Sequence, residues 1–240
     1  MKIFRNDKLI NRNSKIGQYA SLGGIVIVLG TVAFSVTTLS NPEAATAANQ
    51  TVMLAVLFAG IILSQASMYL GNRFNRRPRP DEQLDAALKG IPGDYSLHHY
   101  TTPVSHLLIG PAGLWALIPY HQKGKITYQK NRWKNSGGGF AQGYMRIFGQ
   151  ESIGRPDLES ESQKTALEKF LQKKMGEGES VPPINTALVF LDPNIEIDAE
   201  SSPVPAMQVK KLKEYLRTVA KETPFPQLEL EKLKSVLVKE

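Results

Sequence analysis

A chain of 240 residues has room for one globular domain and a membrane anchor, and its lack of cysteine excludes disulfides, thiolate chemistry and Cys-ligated zinc. The formal charge of +7 does not describe a uniformly basic surface. Lys2, Arg5, Lys8, Arg12 and Lys15 oppose only Asp7, Arg73, Arg76, Arg77 and Arg79 are unopposed, and from Pro80 onward 20 Lys and Arg balance 20 Asp and Glu.

Residues 1–17 read as a basic leader. Gln18 to Leu39 and Thr51 to Gly71 follow, each about 21 residues without a charged side chain, enough to cross a hydrocarbon core of roughly 30 Å at 1.5 Å per residue. The region 18–71 is therefore expected to hold two transmembrane helices joined by a short external loop at 40–50. Both ends of this hairpin are basic and its loop carries only Glu43, a distribution that keeps the N- and C-termini on the cytoplasmic side of an inner membrane. The small-x-small triplet Ala45-Thr46-Ala47 leaves open a cleaved signal peptide, which would keep the second helix in the same orientation. Small residues such as Gly23, Gly24, Ala55 and Gly60 suit close packing within the hairpin or in a homo-oligomer. With no Asp, Glu, Lys, Arg or His inside either span, the pair reads as an anchor and not as an ion or proton path.

Residues 72–80, rich in Arg and Pro, form a stiff tether, and 81–240 form the soluble domain. Asp81 to Lys89 has helical spacing and stops at Gly90. Tyr95 to Thr101, Val104 to Ile109, Gly113 to Tyr120 and Lys125 to Gln129 read as strands separated by Pro and Gly turns. Asn135 to Gly154, with Gly137-Gly138-Gly139, reads as a loop; it lacks the Lys-Ser/Thr of a phosphate cradle. A helix at Leu158 to Met175, a strand at Thr186 to Leu191 and helices at Ala206 to Lys221 and Pro226 to Val238 complete an α/β order with a mixed sheet.

The run Val104-Ser105-His106-Leu107-Leu108-Ile109-Gly110-Pro111-Ala112-Gly113-Leu114-Trp115-Ala116-Leu117, followed by Gly124-Lys125-Ile126, resembles the core of the nuclease-related domain (NERD) family. The helix Glu82 to Lys89, the strand Tyr95 to His99 and the later Trp133 follow the family's order. This resemblance implies a restriction-endonuclease-like fold, in which an Asp and a Glu-x-Lys motif hold Mg²⁺ and activate water for phosphodiester cleavage. Laid on that pattern, the Asp position is Ser105, the Glu position Ile118 and the Lys position Tyr120, while Glu82 matches an acidic position of the first helix. No Asp or Glu occurs from Tyr95 to Gln150. The resemblance thus implies a degenerate member without catalytic residues, metal or other cofactor, serving as a cytoplasmic binding or assembly domain. A rival is a metal-dependent nuclease with a displaced site using Glu82 or Asp94 with Glu151 or Asp157. A second is a purely structural domain that docks a protein partner.

All four histidines, His98, His99, His106 and His121, fall in the acid-free region. Neighbours on a strand diverge, so His98 and His99 do not converge on a zinc ion, and Ser105 and His106 do not form a nucleophile and base. His106 also matches a recurrent structural position of the family. The remaining candidate is Lys123, Lys125, Lys130, Arg132, Trp133 and Lys134, basic side chains interleaved with an aromatic. This pattern suits nucleic acid or anionic lipid headgroups, and equally a solvated strand edge guarded by lysine.

Overall fold

The computed structural model describes residues 1–40, 46–136, 153–175 and 179–238. It divides into two compact units: Asp7–Arg79, and Met1–Asn6 together with Pro80–Glu240. The loop expected at Asn135 to Gly154 lies for the most part outside the described residues, as do Gly137-Gly138-Gly139 and Glu151.

The first unit is a pair of helices, α1 (Asp7–Ser40) and α2 (Ala47–Leu70), the second continuing into a π-helical turn at Gly71–Asn75. Their most apolar windows have mean hydropathy 2.0 and 1.9 and are 6% and 0% buried, so this apolar surface is uncovered, as in helices compatible with a membrane anchor. Thr31, Ser35, Thr38, Ser40 and Thr51 each donate to the carbonyl one turn earlier, which satisfies their hydroxyls without water. The two helices meet closely at Gly60, where a Cβ would lie 2.9 Å from Ile27 Cγ2; Gly24 and Gly30 face open space.

The second unit begins with a strand that the sequence reading did not anticipate. Lys2–Arg5 form β1, so the expected basic leader is part strand and, from Asp7, part helix. Then come α3 (Pro80–Leu88), β2 (Ser96–His99), β3 (His106–Gly110), β4 (Gly113–Tyr120), β5 (Lys125–Gln129) and β6 (Arg132–Ser136). The remainder is α4 (Pro156–Met175), β7 (Ile184–Phe190), β8 (Glu196–Asp198), β9 (Ala206–Gln208), α5 (Leu212–Glu222) and α6 (Gln227–Val238).

The main sheet has the order β1-β2-β3-β4-β7-β9 and is mixed: β2, β3 and β4 are antiparallel neighbours, and the β1–β2, β4–β7 and β7–β9 pairs are parallel. A second sheet has the order β6-β5-β8. The expected mixed α/β architecture is therefore present. Side-chain alternation sorts the main sheet into two faces. Leu97, Leu108, Trp115 and Leu117 pack with Leu84 and Leu88 of α3 and Leu212 and Leu216 of α5. On the other face Leu107, Ile109, Leu114 and Ala116 meet Leu167 and Leu171 of α4 and Leu230 and Leu233 of α6. The result is helix, sheet, helix in three layers.

β9 and β6 are among the elements that differ from expectation. Ala206-Met207-Gln208 has helical propensity, yet it forms the short edge strand β9, paired in parallel with β7. The helix there begins only at Leu212. The polar run of β6 is a strand because Lys130 and Asn131, both at positive φ (50° and 57°), turn the chain back on β5.

Candidate functional site

Ser105 immediately precedes β3, and Ile118 and Tyr120 lie on β4. Ile118 and Tyr120, two residues apart, share one face of β4, and the pairing of β3 with β4 ends at Leu107 opposite Ala116, two residues after Ser105. All three are buried. What surrounds them is not a cation pocket. Ile118 packs into an apolar cluster with Leu188 and Phe190, and the Tyr120 ring stacks on Phe190 at 5.4 Å. The Tyr120 hydroxyl donates to Glu159 Oε2 at 2.6 Å, while Ser160 and Thr186 close a buried hydroxyl pair, also at 2.6 Å. Burial first, and then the charge of Glu159, raises the Tyr120 phenol far above its ordinary pKa, so it stays a donor.

Glu159, at the exposed start of α4, is the acid that sequence reasoning missed; a lone Glu in a helical repeat carries no signal that it reaches Tyr120. Glu82 does not join these positions, because α3 covers the opposite face of the sheet. The other acids considered are engaged elsewhere: Asp157 with Arg155 at 2.9 Å, and Asp94 with Lys234 on α6. These contacts hold both carboxyls below the usual carboxylate range. The metal that the family resemblance implies does not fit here, since Ser105, Ile118 and Tyr120 supply no carboxylate. Among the described residues no group of three or more metal-ligating side chains forms.

The histidines divide as strand alternation requires. His98 points to the face of Phe4, whose ring stacks on it at 4.6 Å and 14°. His99 and His106 share the α3 face, their Nδ1 atoms 2.7 Å apart. An acid does reach this pair, contrary to the sequence reading: Asp85 Oδ1 of α3 lies 3.0 Å from His99 Nε2. Arg5 of β1 completes the group, with its Nε 3.2 Å from Asp81 Oδ2 and its Nη2 bonded to Asp85. Asp81, His99 and His106 are each 0% exposed. With His99 donating from Nε2, its Nδ1 accepts from His106 Nδ1, so a single proton lies between the rings. Four elements thus meet in one buried polar chain that no spacing in the sequence announces.

His98 carries a testable pH dependence. Burial, with a smaller contribution from neighbouring His99, lowers its pKa to about 4. An unfolded histidine titrates near 6.5, so between those values the unfolded chain binds the proton more tightly. Its contribution is fully present above pH 6.5 and is lost as pH falls toward 4, a change of about 3 kcal/mol by pH 4. Urea unfolding at pH 7.5 and at pH 4 is expected to give that difference beyond whatever remains in His98→Phe, which keeps the stack on Phe4 and removes the titration.

The basic candidate residues are placed by β5 and β6. Lys125, Arg132 and Lys134 are exposed on the outer face, with Lys130 in the turn and Lys123 before β5. Trp133 does not accompany them. It pairs across from Tyr128, ring centroids 5.0 Å apart, and is buried beneath the hairpin. The aromatic reading of this patch is therefore corrected: alternation puts the indole on the opposite face from the cations. The parallel neighbour β8 also sets Glu196 beside Lys125 and Asp198 beside Thr127 on the basic face. What remains is a cationic edge, densest along β6.

No family model, curated protein or solved structure matches this chain, so the resemblance to the nuclease-related domain rests on the residues quoted for it.

Proposed function

We propose that this chain is an inner-membrane protein with two spans and cytoplasmic termini, whose α/β domain is a degenerate nuclease-related domain used for binding or assembly and not for cleavage. The observation that carries the loss of catalysis is that Ser105, Ile118 and Tyr120 are buried and supply no carboxylate or lysine, with Ile118 and Tyr120 packed around Phe190. The pairing of β1 with β2 supports the topology, because β1 precedes both apolar helices and β2 follows them, so the chain must return to the side where it started. That pairing also speaks against removal of the first helix, which would take β1 with it.

The cationic edge is the binding surface of this reading, and its partner chemistry is phosphate, on nucleic acid or on anionic lipid. The test uses the full chain in neutral lipid vesicles. Labelled DNA and RNA with Mg²⁺ or Mn²⁺ are expected to survive, and chelator-sensitive cleavage lost in Glu159→Gln would favour a displaced nuclease instead. Binding of single-stranded nucleic acid is expected to weaken with salt. Replacing Lys130, Arg132 and Lys134 by alanine should lower the slope of log K against log salt by about 2, at roughly 0.7 per phosphate contact. Binding only to vesicles containing anionic lipid would assign the edge to the membrane surface. No binding to either would leave a domain that docks a protein partner.

Topology has its own measurement. A cysteine at Ala47 is expected to react with an impermeant thiol reagent outside intact cells and one at Ser201 to remain unlabelled. The natural chain has no cysteine, so it contributes no background. Labelling at Ser201 would reverse the orientation.

A further inference from the structure

We infer that the first six residues are a lock on the α/β domain, one that closes only when the chain has crossed the membrane and returned, so that folding of this domain registers correct insertion of the hairpin. This rests on the reading of α1 and α2 as a membrane anchor.

The lock has three parts. Along the backbone, Lys2 N donates to Tyr95 O at 2.8 Å and Asn6 N to His99 O at 3.0 Å, framing a parallel register of Lys2 with Ser96 through Arg5 with His99. On one face Phe4 covers His98, which is only 2% exposed. On the other, Arg5 reaches both Asp81 and Asp85 of α3, and Asp85 in turn holds His99 and, through it, His106. Among the charged and titratable groups of this corner are Arg5 from β1, Asp81 and Asp85 from α3, His99 from β2, and His106 from β3.

The energetic weight of Arg5 follows from burial. Asp81 is fully buried, so the loss of a guanidinium partner there costs more than the same loss at an exposed carboxylate. With β1 absent, two nearby carboxylates would share the corner and β2, buried at all four positions, would become the edge of the sheet. The strand that prevents this is separated from its partners by the whole hairpin. If that hairpin makes two crossings, β1 and α3 emerge on one side at high effective concentration; if it makes one crossing, the membrane lies between them and the lock cannot close.

The test follows amide hydrogen exchange of residues 2–6 and 96–99 in the full chain, inserted into vesicles, with the Ala47 and Ser201 cysteine labelling done in parallel. Both segments are expected to be protected in the unaltered chain. Arg5→Ala should accelerate exchange at 96–99 by roughly 100-fold, the scale of a lost buried ion pair. Arg5→Met combined with Asp85→Asn should recover part of the protection, because an amide at that position still accepts from His99 and no longer needs the guanidinium. Should Arg5→Ala fail to fold, this double variant decides: recovery supports the lock and persistent unfolding overturns it. Deleting residues 51–69, which leaves one crossing, should raise exchange at 96–99 as much as Arg5→Ala does. Rapid exchange of residues 2–6 in the unaltered chain, or undisturbed protection in Arg5→Ala or in the single-crossing variant, would overturn the inference. Labelling at Ser201 with protection intact would sink the anchor topology alone.

Discussion

Trp115→Asp is expected to abolish folding of the α/β domain. Trp115 lies on β4, which has β3 on one side and β7 on the other, and is 4% exposed. Its indole Nε1 donates to Ala112 O at 2.7 Å, and its ring meets Tyr215 of α5 edge-on at 5.6 Å. Truncating a buried Trp costs about 3–5 kcal/mol, and a carboxylate without a partner in the same space adds several more. A domain of this size has only about 5–15 kcal/mol in total. Near-ultraviolet circular dichroism and urea unfolding of the full chain in micelles would check this. Trp115→Phe should keep a cooperative transition at lower midpoint, and a cooperative transition in Trp115→Asp would mean that β4 is not the centre of the core.

The second large effect is expected at Gly110, the last residue of β3. A Cβ there would lie 2.0 Å from Cδ1 and 2.4 Å from Cε1 of Tyr95, a ring that is itself 1% exposed. The ring crosses directly over the glycine, so the backbone approach, not a need for unusual dihedrals, selects glycine. Gly110→Ala must displace a packed aromatic ring and is expected to cost about 3 kcal/mol, the upper part of the range for overpacking, with Gly110→Val costing more. The partner residue makes the prediction specific. Tyr95→Leu alone should be moderately destabilising, and Tyr95→Leu with Gly110→Ala should be more stable than the sum of the two single changes implies. Additive losses would show that the ring and the glycine are not the interacting pair.

Much of the second unit's secondary structure can be read from periodicity. The β4 run Gly113–Tyr120 and the β5 run Lys125–Gln129 coincide with their sequence-based bounds, because aliphatic, aromatic and β-branched runs flanked by glycine turns have few other solutions. Helix α4 starts two residues earlier than its apolar spacing suggests, with Pro156 in its first turn, where proline's missing N–H is not needed. The failures have a common cause. β1, β6 and β9 are short and lie at the edges of sheets, where hydrogen bonding to a distant strand decides the conformation and the local pattern of Lys, Arg, Gln or Asn says little.

The candidate sites divide along the same line. Absence of acids between Tyr95 and Gln150 is a property of the sequence alone, and it already excludes a carboxylate metal site built from that stretch. The opposed directions of His98 and His99 also follow from the twofold period of a strand. That Trp133 turns away from the lysines needs only the same alternation once β6 is known to be a strand. The meeting of Arg5 with Asp81, Asp85, His99 and His106, and of Glu159 with Tyr120, is of another kind. Each joins residues from separate elements, and which side chains meet across layers depends on strand order and helix placement.

The sequence by itself determined two long apolar helices with basic flanks, a mixed α/β domain after them and a strand cluster without Asp or Glu, because hydrophobic period, charge and residue type are local quantities. Only the tertiary structure decided that the first residues complete the sheet beyond the helices and that the buried Asp81 and half-buried Asp85 of α3 meet Arg5 from far earlier in the chain. Such pairings are chosen by burial, where an unpaired charge is too costly to leave, and burial is a property of the assembled layers.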